Sequence, residues 1–268
     1  MNKADVSIVI PVGNDPRIVK CLDSIDKHSN EANLEVIIVN DGCRDDIIQS
    51  VRSFESRFPL TLIDFTSDHI GLLRNLGINK TRSDVCYFVD SDCELYEGAI
   101  QEAVRVGSEN PVVRGFIDFR GSSRISDLDA RLRQQRYAFD LTFAYCPNLT
   151  VRKDVFKQIG YFNEEFAYGS DGEFAKRIRD NGVKCVFNPD MKLVHHGPDN
   201  DLRVIRTWVR YGEGRQKRLR YSPLREKIRG LFTPVLFDLS EGIGYNLTVA
   251  GCLVCRWYGW TKSKFERK

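Results

Sequence analysis

The first chemical signal in this 268-residue chain is Asp90-Ser91-Asp92, with Glu94 close by. The triplet sits where an apolar run, Val85-Cys86-Tyr87-Phe88-Val89, opens into polar chain. Carboxylates spaced this way can hold Mg2+ or Mn2+, hard ions that keep coordination sites open for phosphate oxygens and water. Such an ion would act as a Lewis acid toward a departing diphosphate. A solvated turn is the other reading, because turns after strands are rich in Asp. His195-His196 ends a second apolar run about a hundred residues later. A neutral imidazole could complete the metal site, although alternation along a strand lets at most one of the two rings point inward. A purely structural histidine is the alternative.

Two further groups invite the same double reading. Asp41, in Val39-Asn40-Asp41-Gly42, either forms a turn in which Gly42 supplies a positive φ, or accepts a hydrogen bond from a base edge. Gly169-Ser170-Asp171-Gly172-Glu173 opens a helix whose buried face is Phe174 and Ile178. Ser170-x-x-Glu173 has the form of a capping box. Asp171 then either complements the helix dipole or serves as a general base for an acceptor hydroxyl.

The elements around these residues alternate. Val6 to Val12 reads as a buried parallel strand. Asp15-Pro16 predicts a helix start, with Asp15 as N-cap and Pro16 at the first helical position. Glu35 to Asn40 is a second strand and Leu60 to Phe65 a third. Leu72, Leu73 and Leu76 mark a short helix, and Val85 to Val89 is the fourth strand. This alternation predicts a mostly parallel α/β sheet with right-handed crossovers, whose ligands bind beyond the carboxyl ends of the strands. Asn14-Asp15, Asn40-Asp41-Gly42 and Asp90-Ser91-Asp92 all fall at such ends, which implies one crevice. Farther on, Val112 to Phe119 predicts a strand and Asp127 to Phe143 a helix. A helix follows over Ser170 to Asn181. Val183–Phe187 and Met191–His195 are expected as two short strands with a turn at Asn188-Pro189-Asp190.

Composition narrows the class. With 42% hydrophobic and 29% charged residues the chain is an ordinary globular one, and a net charge of +3 gives no reason to expect a nucleic-acid partner. No run of 18 residues is apolar and free of charge. The N-terminus lacks the pattern of an export signal, and eight scattered cysteines fit a reducing compartment. A cytoplasmic location is the expectation.

Taken in order, these segments resemble the family 2 glycosyltransferases of the GT-A fold, a Rossmann-like sheet flanked by helices. Ser7-Ile8-Val9-Ile10-Pro11-Val12-Gly13-Asn14 is similar to their opening strand, which implies donor contacts from Pro11, Val12 and Asn14. Asn40-Asp41-Gly42 resembles their uridine-contacting turn. Gly71-Leu72-Leu73-Arg74-Asn75-Leu76-Gly77 resembles their Arg-Asn helix under the donor diphosphate, although a helix-surface arginine is the other reading of Arg74. Phe88-Val89-Asp90-Ser91-Asp92 matches their metal motif, with Asp90 and Ser91 also on the donor side and His195 at the late metal-contacting position. The stretch from Cys146-Pro147-Asn148 to Phe166 is similar to their acceptor-side segment, implying Asn148 and, farther on, Glu173 as acceptor-side residues. Asp171 falls at the catalytic base. Three positions depart: Gly13 replaces an aromatic, Asn40 the first acid of a pair, and Ser170 a glutamate.

The resemblance implies an inverting, Mn2+- or Mg2+-dependent transfer of a sugar, with UDP favoured as the nucleotide, to a hydroxyl of a saccharide or lipid-linked acceptor. A nucleotidyltransferase and a non-catalytic glycan-binding module are the rival readings. The expected organisation is a GT-A domain over 1–200 and a helical extension over 201–268. Between Arg203 and Arg229 the extension carries ten Lys or Arg against two Glu. An apolar stripe through Phe232, Leu236, Leu239, Ile243 and Leu247 follows. Such a stripe can pack on the domain, bind a protein partner, or lie on an anionic membrane surface.

Overall fold

A computed structural model describes residues 3–29, 32–220, 253–255 and 258, without the side chains of 215–220. Most of the basic run's second half and the stripe from Phe232 to Leu247 lie outside the described residues.

The first half alternates as expected: β1 (Val6–Val12), α1 (Ile18–His28), β2 (Leu34–Asp41), α2 (Asp45–Arg52), β3 (Leu60–Phe65), α3 (Ile70–Ile78) and β4 (Val85–Phe88). Then come β5 (Cys93–Leu95), α4 (Ala99–Glu109), β6 (Val112–Arg120), α5 (Arg124–Phe139), β7 (Leu149–Arg152), α6 (Lys153–Ile159), α7 (Ser170–Asp180), β8 (Cys185–His196) and α8 (Asp201–Arg220). One eight-stranded sheet runs β3-β2-β1-β4-β7-β6-β8-β5. β3, β2, β1 and β4 are parallel, β7 runs antiparallel between β4 and β6, and β8 is parallel to β6. Every residue of β1 is buried, because helices cover both faces of the sheet.

One side chain bonds the parallel strands together at depth. Glu35 accepts from its register partner Ser7 (2.6 Å), and from the Arg82 backbone N–H and Nε at 2.6 and 2.7 Å. These bonds hold the Glu35 pKa below the usual glutamate range against the opposing effect of burial.

Four local expectations change. α1 begins at Ile18, not at Pro16: Pro16 and Arg17 form a turn, and Asp15 accepts from the Arg17 backbone at 3.0 Å while binding its guanidinium. α5 starts at Arg124, capped by Ser123 Oγ, and stops before Asp140, whose backbone is extended. The two short strands after Gly182 are one long strand, β8. It stays paired to β6 throughout and absorbs residues 189–191 as a bulge opposite Gly115 and Phe116. The capping box at α7 does not form. Gly169 at φ +80° is the N-cap, so Ser170 is already helical, and Glu173 turns forward to Arg177 at 2.7 Å.

The start of the extension belongs to the folded body. Val204 and Trp208 of α8 are buried against Ile125 and Cys255, and Trp208 Nε1 donates to Asp129 on α5 at 2.6 Å. Farther along α8, Gly214 passes so close to the Tyr168 carbonyl that a Cβ there would stand 2.4 Å away. None of the helices among the described residues is long and apolar enough to cross a membrane.

Candidate active site

The carboxyl ends of β1, β2 and β4, the first turn of α7 and the end of β8 carry the polar residues singled out in the sequence. The Asp90-Ser91-Asp92 triplet leaves β4 and leads within a residue into β5, whose Cys93 pairs antiparallel with His195 of β8. That register brings Asp92 and His195 together: Asp92 Oδ1 and His195 Nε2 lie 3.6 Å apart. Burial lowers the His195 pKa below the ordinary histidine value, Asp92 opposing it, so the ring is neutral near pH 7. The Cys93 thiol completes a cluster with these two, but burial and the nearby carboxylates push its pKa far up, which keeps it protonated.

Asp90 has a different partner. Arg74 of α3 donates to Asp90 Oδ1 at 3.1 Å, and its other terminal nitrogen reaches Ser170 Oγ at 3.4 Å. Arg74 is only 4% exposed, so it is not a helix-surface arginine. Burial opposes its charge, yet Asp90 and Asp171 around it hold its pKa above the ordinary value. Asp90 is pushed up by burial and by Asp92, while Arg74 and His195 pull it down. The neighbouring Asn75 ties α3 to the segment before α7, donating to Phe162 O (2.8 Å) and Glu164 Oε1 (2.9 Å). Gly71 allows this approach: a Cβ there would meet Asn163 O at 2.5 Å.

Asp171 is partly exposed in the first turn of α7, where its Oδ1 accepts from the Gly172 N–H at 2.8 Å. Asp41 ends β2 and accepts from the Ser67 backbone at 2.6 Å, and Gly42 does adopt a positive φ of 61°. A Cβ on Gly13 would stand 3.8 Å from Asp41 Oδ2, an ordinary contact, so Gly13 lies beside this carboxylate. Asn14, at φ 55°, accepts from the Arg44 backbone at 3.1 Å. Pro11 and Val12 are buried strand residues with their backbone in the β1–β2 ladder. Ser91 is buried between the two aspartates.

The two acceptor-side candidates are engaged within the protein. Asn148 is fully buried at φ 65°, and its amide is consumed by Phe116 O (2.7 Å), Met191 O (2.9 Å) and the Tyr87 hydroxyl (2.7 Å). It joins β4, β6 and β8 and has no group free for an acceptor. Glu173 is occupied by a two-pronged bond to Arg177 at 2.7 and 2.9 Å.

The sequence reading missed Arg17, which lies 3.5 Å from Asp92 Oδ2, and Cys93. An arginine two residues after Asp15 carries no signal of its own, because only the fold brings β8 to that point.

The residues fit a hard divalent ion. Asp92 Oδ1 and His195 Nε2 are too far apart for a good hydrogen bond, and their spacing suits two donors each about 2 Å from one ion. The carboxylate oxygen suits Mn2+ or Mg2+ and the neutral imidazole a borderline divalent ion, and the protonated Cys93 adds no thiolate.

The family model described as glycosyl transferase family 2 matches residues 7–160. Glycosyltransferase AglE of Haloferax volcanii is 26% identical over 221 residues, covering 78% of this chain and 72% of that protein. The pre-mycofactocin glycosyltransferase of Mycobacterium tuberculosis is 24% identical over 278 residues, covering 90% of this chain and 54% of its own. Among solved structures, the mannosyltransferase PcManGT from Pyrobaculum calidifontis, in complex with GDP-Man and Mn2+, superposes with a TM-score of 0.68 at 15% identity, covering all of this chain and 89% of that one. Residues 1–349 of S. aureus TarS give 0.57 at 17% identity, over 98% and 74% of the two chains. With the strand order, the acidic triplet and the family match in hand, the chain belongs to glycosyl transferase family 2 and is a glycosyltransferase of the GT-A fold.

Proposed function

We propose that the enzyme is an inverting, metal-dependent transferase that moves a sugar from a nucleoside-diphosphate donor, UDP-linked in our reading, to an acceptor hydroxyl. The observation that carries this is the pairing of Asp92 with His195 at 3.6 Å beside the buried Arg74–Asp90 pair. The Mn2+ and GDP-mannose held by the mannosyltransferase of the same fold support a divalent ion and a nucleotide-sugar donor. Preference for UDP rests on the likeness of Asn40-Asp41-Gly42 to a uridine-contacting turn.

Asp92 and His195 would hold the ion, which when bound supplies charge neutralisation for the departing diphosphate. Arg74 contributes a fixed positive field from beneath the triplet, and burial makes that field strong. Asp171 takes the proton of the acceptor hydroxyl as its oxygen forms the new bond to the anomeric carbon. The bond from that carbon to the diphosphate oxygen breaks in the same displacement, with inversion and an oxocarbenium-like transition state. The acceptor is a saccharide or lipid-linked hydroxyl in this reading, the lipid-linked form matching the basic extension.

The test is a thermal-shift screen of UDP, GDP and their sugars with and without Mn2+, followed by donor hydrolysis with the best ligand. A native-state ligand raises apparent stability. Stabilisation by a UDP-sugar only with Mn2+, and inverted configuration in the product, are expected. Metal-independent binding of every nucleotide would overturn the proposal.

A further inference from the structure

The Arg17 guanidinium has five N–H donors in a rigid fork, and four of them are engaged by the protein. Nε donates to Asp15 Oδ1 at 2.9 Å, and one terminal nitrogen donates to Asp15 Oδ2 at 2.6 Å. The other donates to the carbonyls of His196 and Gly197 at 2.9 and 2.8 Å. The nitrogen bonded to Asp15 Oδ2 also lies 3.5 Å from Asp92 Oδ2, an ion pair without a hydrogen bond. An arginine engaged in this way spends four of its five donors on the protein.

These contacts converge on one place. Two of the contacts fix the backbone immediately after His195, and the guanidinium charge lies 3.5 Å from the far oxygen of Asp92 while the near oxygen faces the imidazole. The anchor is Asp15, just beyond β1. Arg17 thereby spans β1, the β4–β5 connection and β8, three segments that are far apart in sequence.

We propose that Arg17 is a positioning residue for the metal site: it sets the orientation of Asp92 and the placement of His195 from one rigid fork. The proposal rests on the reading of Asp92 and His195 as metal ligands. Groups that orient metal ligands typically matter about 10–100-fold in metal affinity or activity. Lysine keeps the charge but offers one flexible ammonium, which cannot serve two carboxylates and two carbonyls together. Arg17→Lys therefore separates placement from charge.

The experiment is titration of the full chain with Mn2+ alone, following the free-ion electron paramagnetic resonance signal, alongside far-UV circular dichroism and melting temperature. The unaltered protein should bind Mn2+, and Asp92→Asn should not. Arg17→Lys should fold normally and bind about tenfold or more weakly. Asp15→Asn, which loosens the anchor without touching Asp92, should fall between them, and it decides the matter if Arg17→Lys does not fold. Affinities of both variants within twofold of the unaltered chain would overturn the role of Arg17 while leaving the metal reading standing. If the unaltered chain binds no Mn2+, the metal reading fails and this role with it.

Discussion

Arg74 donates to Asp90 Oδ1 at 3.1 Å while Asp92, two residues on, faces His195 across 3.6 Å. The two aspartates of the triplet are thus assigned to different partners, one to a protein cation and the other to an imidazole. Asp92→Asn is therefore expected to abolish Mn2+-dependent donor binding with the fold intact, whereas Asp90→Asn should retain Mn2+ binding. Isothermal titration of both variants checks this. Equal loss in the two would mean that both carboxylates hold the ion.

Removing the cation has the opposite character. Arg74→Ala leaves a half-buried Asp90 without its partner, and breaking a buried pair typically costs about 3–5 kcal/mol. Because 27% of the Asp90 side chain is exposed, the lower end of that range is expected in urea unfolding. An unchanged midpoint would show that Arg74 contributes nothing to stability.

Asp171→Asn should keep donor affinity and lower turnover by at least about a hundredfold, the low end for losing a general base. Donor binding by calorimetry and transfer by product release separate the two effects. Near-normal turnover would return Asp171 to a carboxylate that bonds the Gly172 N–H and nothing more.

The acid limb of stability should depend on Glu35. Its folded pKa lies below its ordinary value of 4.5. Its contribution is therefore complete above the unfolded value, and it is lost as pH falls through the lower folded value. Glu35→Gln should lower the melting temperature at pH 7 and flatten its decline below about pH 4.5. A variant with the same acid slope as the unaltered chain would move the acid sensitivity elsewhere.

Ending the chain after Asn200 should destabilise it by about 3 kcal/mol or more, the scale of losing a buried Trp. Trp208 would vanish from its site against α5, and Asp129 would lose the indole N–H while keeping the bond from Arg133 at 2.7 Å. Chemical denaturation of the truncated protein measures this. An unchanged midpoint would make α8 a separable appendage.

The parallel half of the sheet was legible in the sequence because strands buried on both faces read as unbroken apolar runs with polar residues at their ends. β1, β2, β3 and β4 fell where those runs lie. What escaped was long-range or competitive. The bulge in β8 keeps pairing across Asn188-Pro189-Asp190, a sequence that looks like a turn, and only its neighbour β6 makes a strand of it. Ser170 and Glu173 have capping-box spacing, but Gly169 takes the cap and Arg177 takes the glutamate. Asn148 stood in a segment of acceptor-side likeness, and its burial follows from three strands that meet around it. Arg17 was invisible because its four partner residues span positions 15 to 197.

The sheet order also carries a consequence for how the molecule is made. β5 follows β4 by a few residues, yet among the described strands it bonds only to β8, which the ribosome delivers about a hundred residues later. The ribosome releases the chain from its N-terminus, at roughly 5–20 residues per second. A nascent chain that has assembled β1 to β4 therefore already holds Asp41 and Asp90 at strand ends, while Asp92 still lacks both His195 and the carbonyls that steady Arg17. Ion affinity should arise abruptly when β8 slides in beside β6 and captures β5. In refolding from urea, recovery of Mn2+ binding should then trail the formation of the parallel half and mark the last strand to enter.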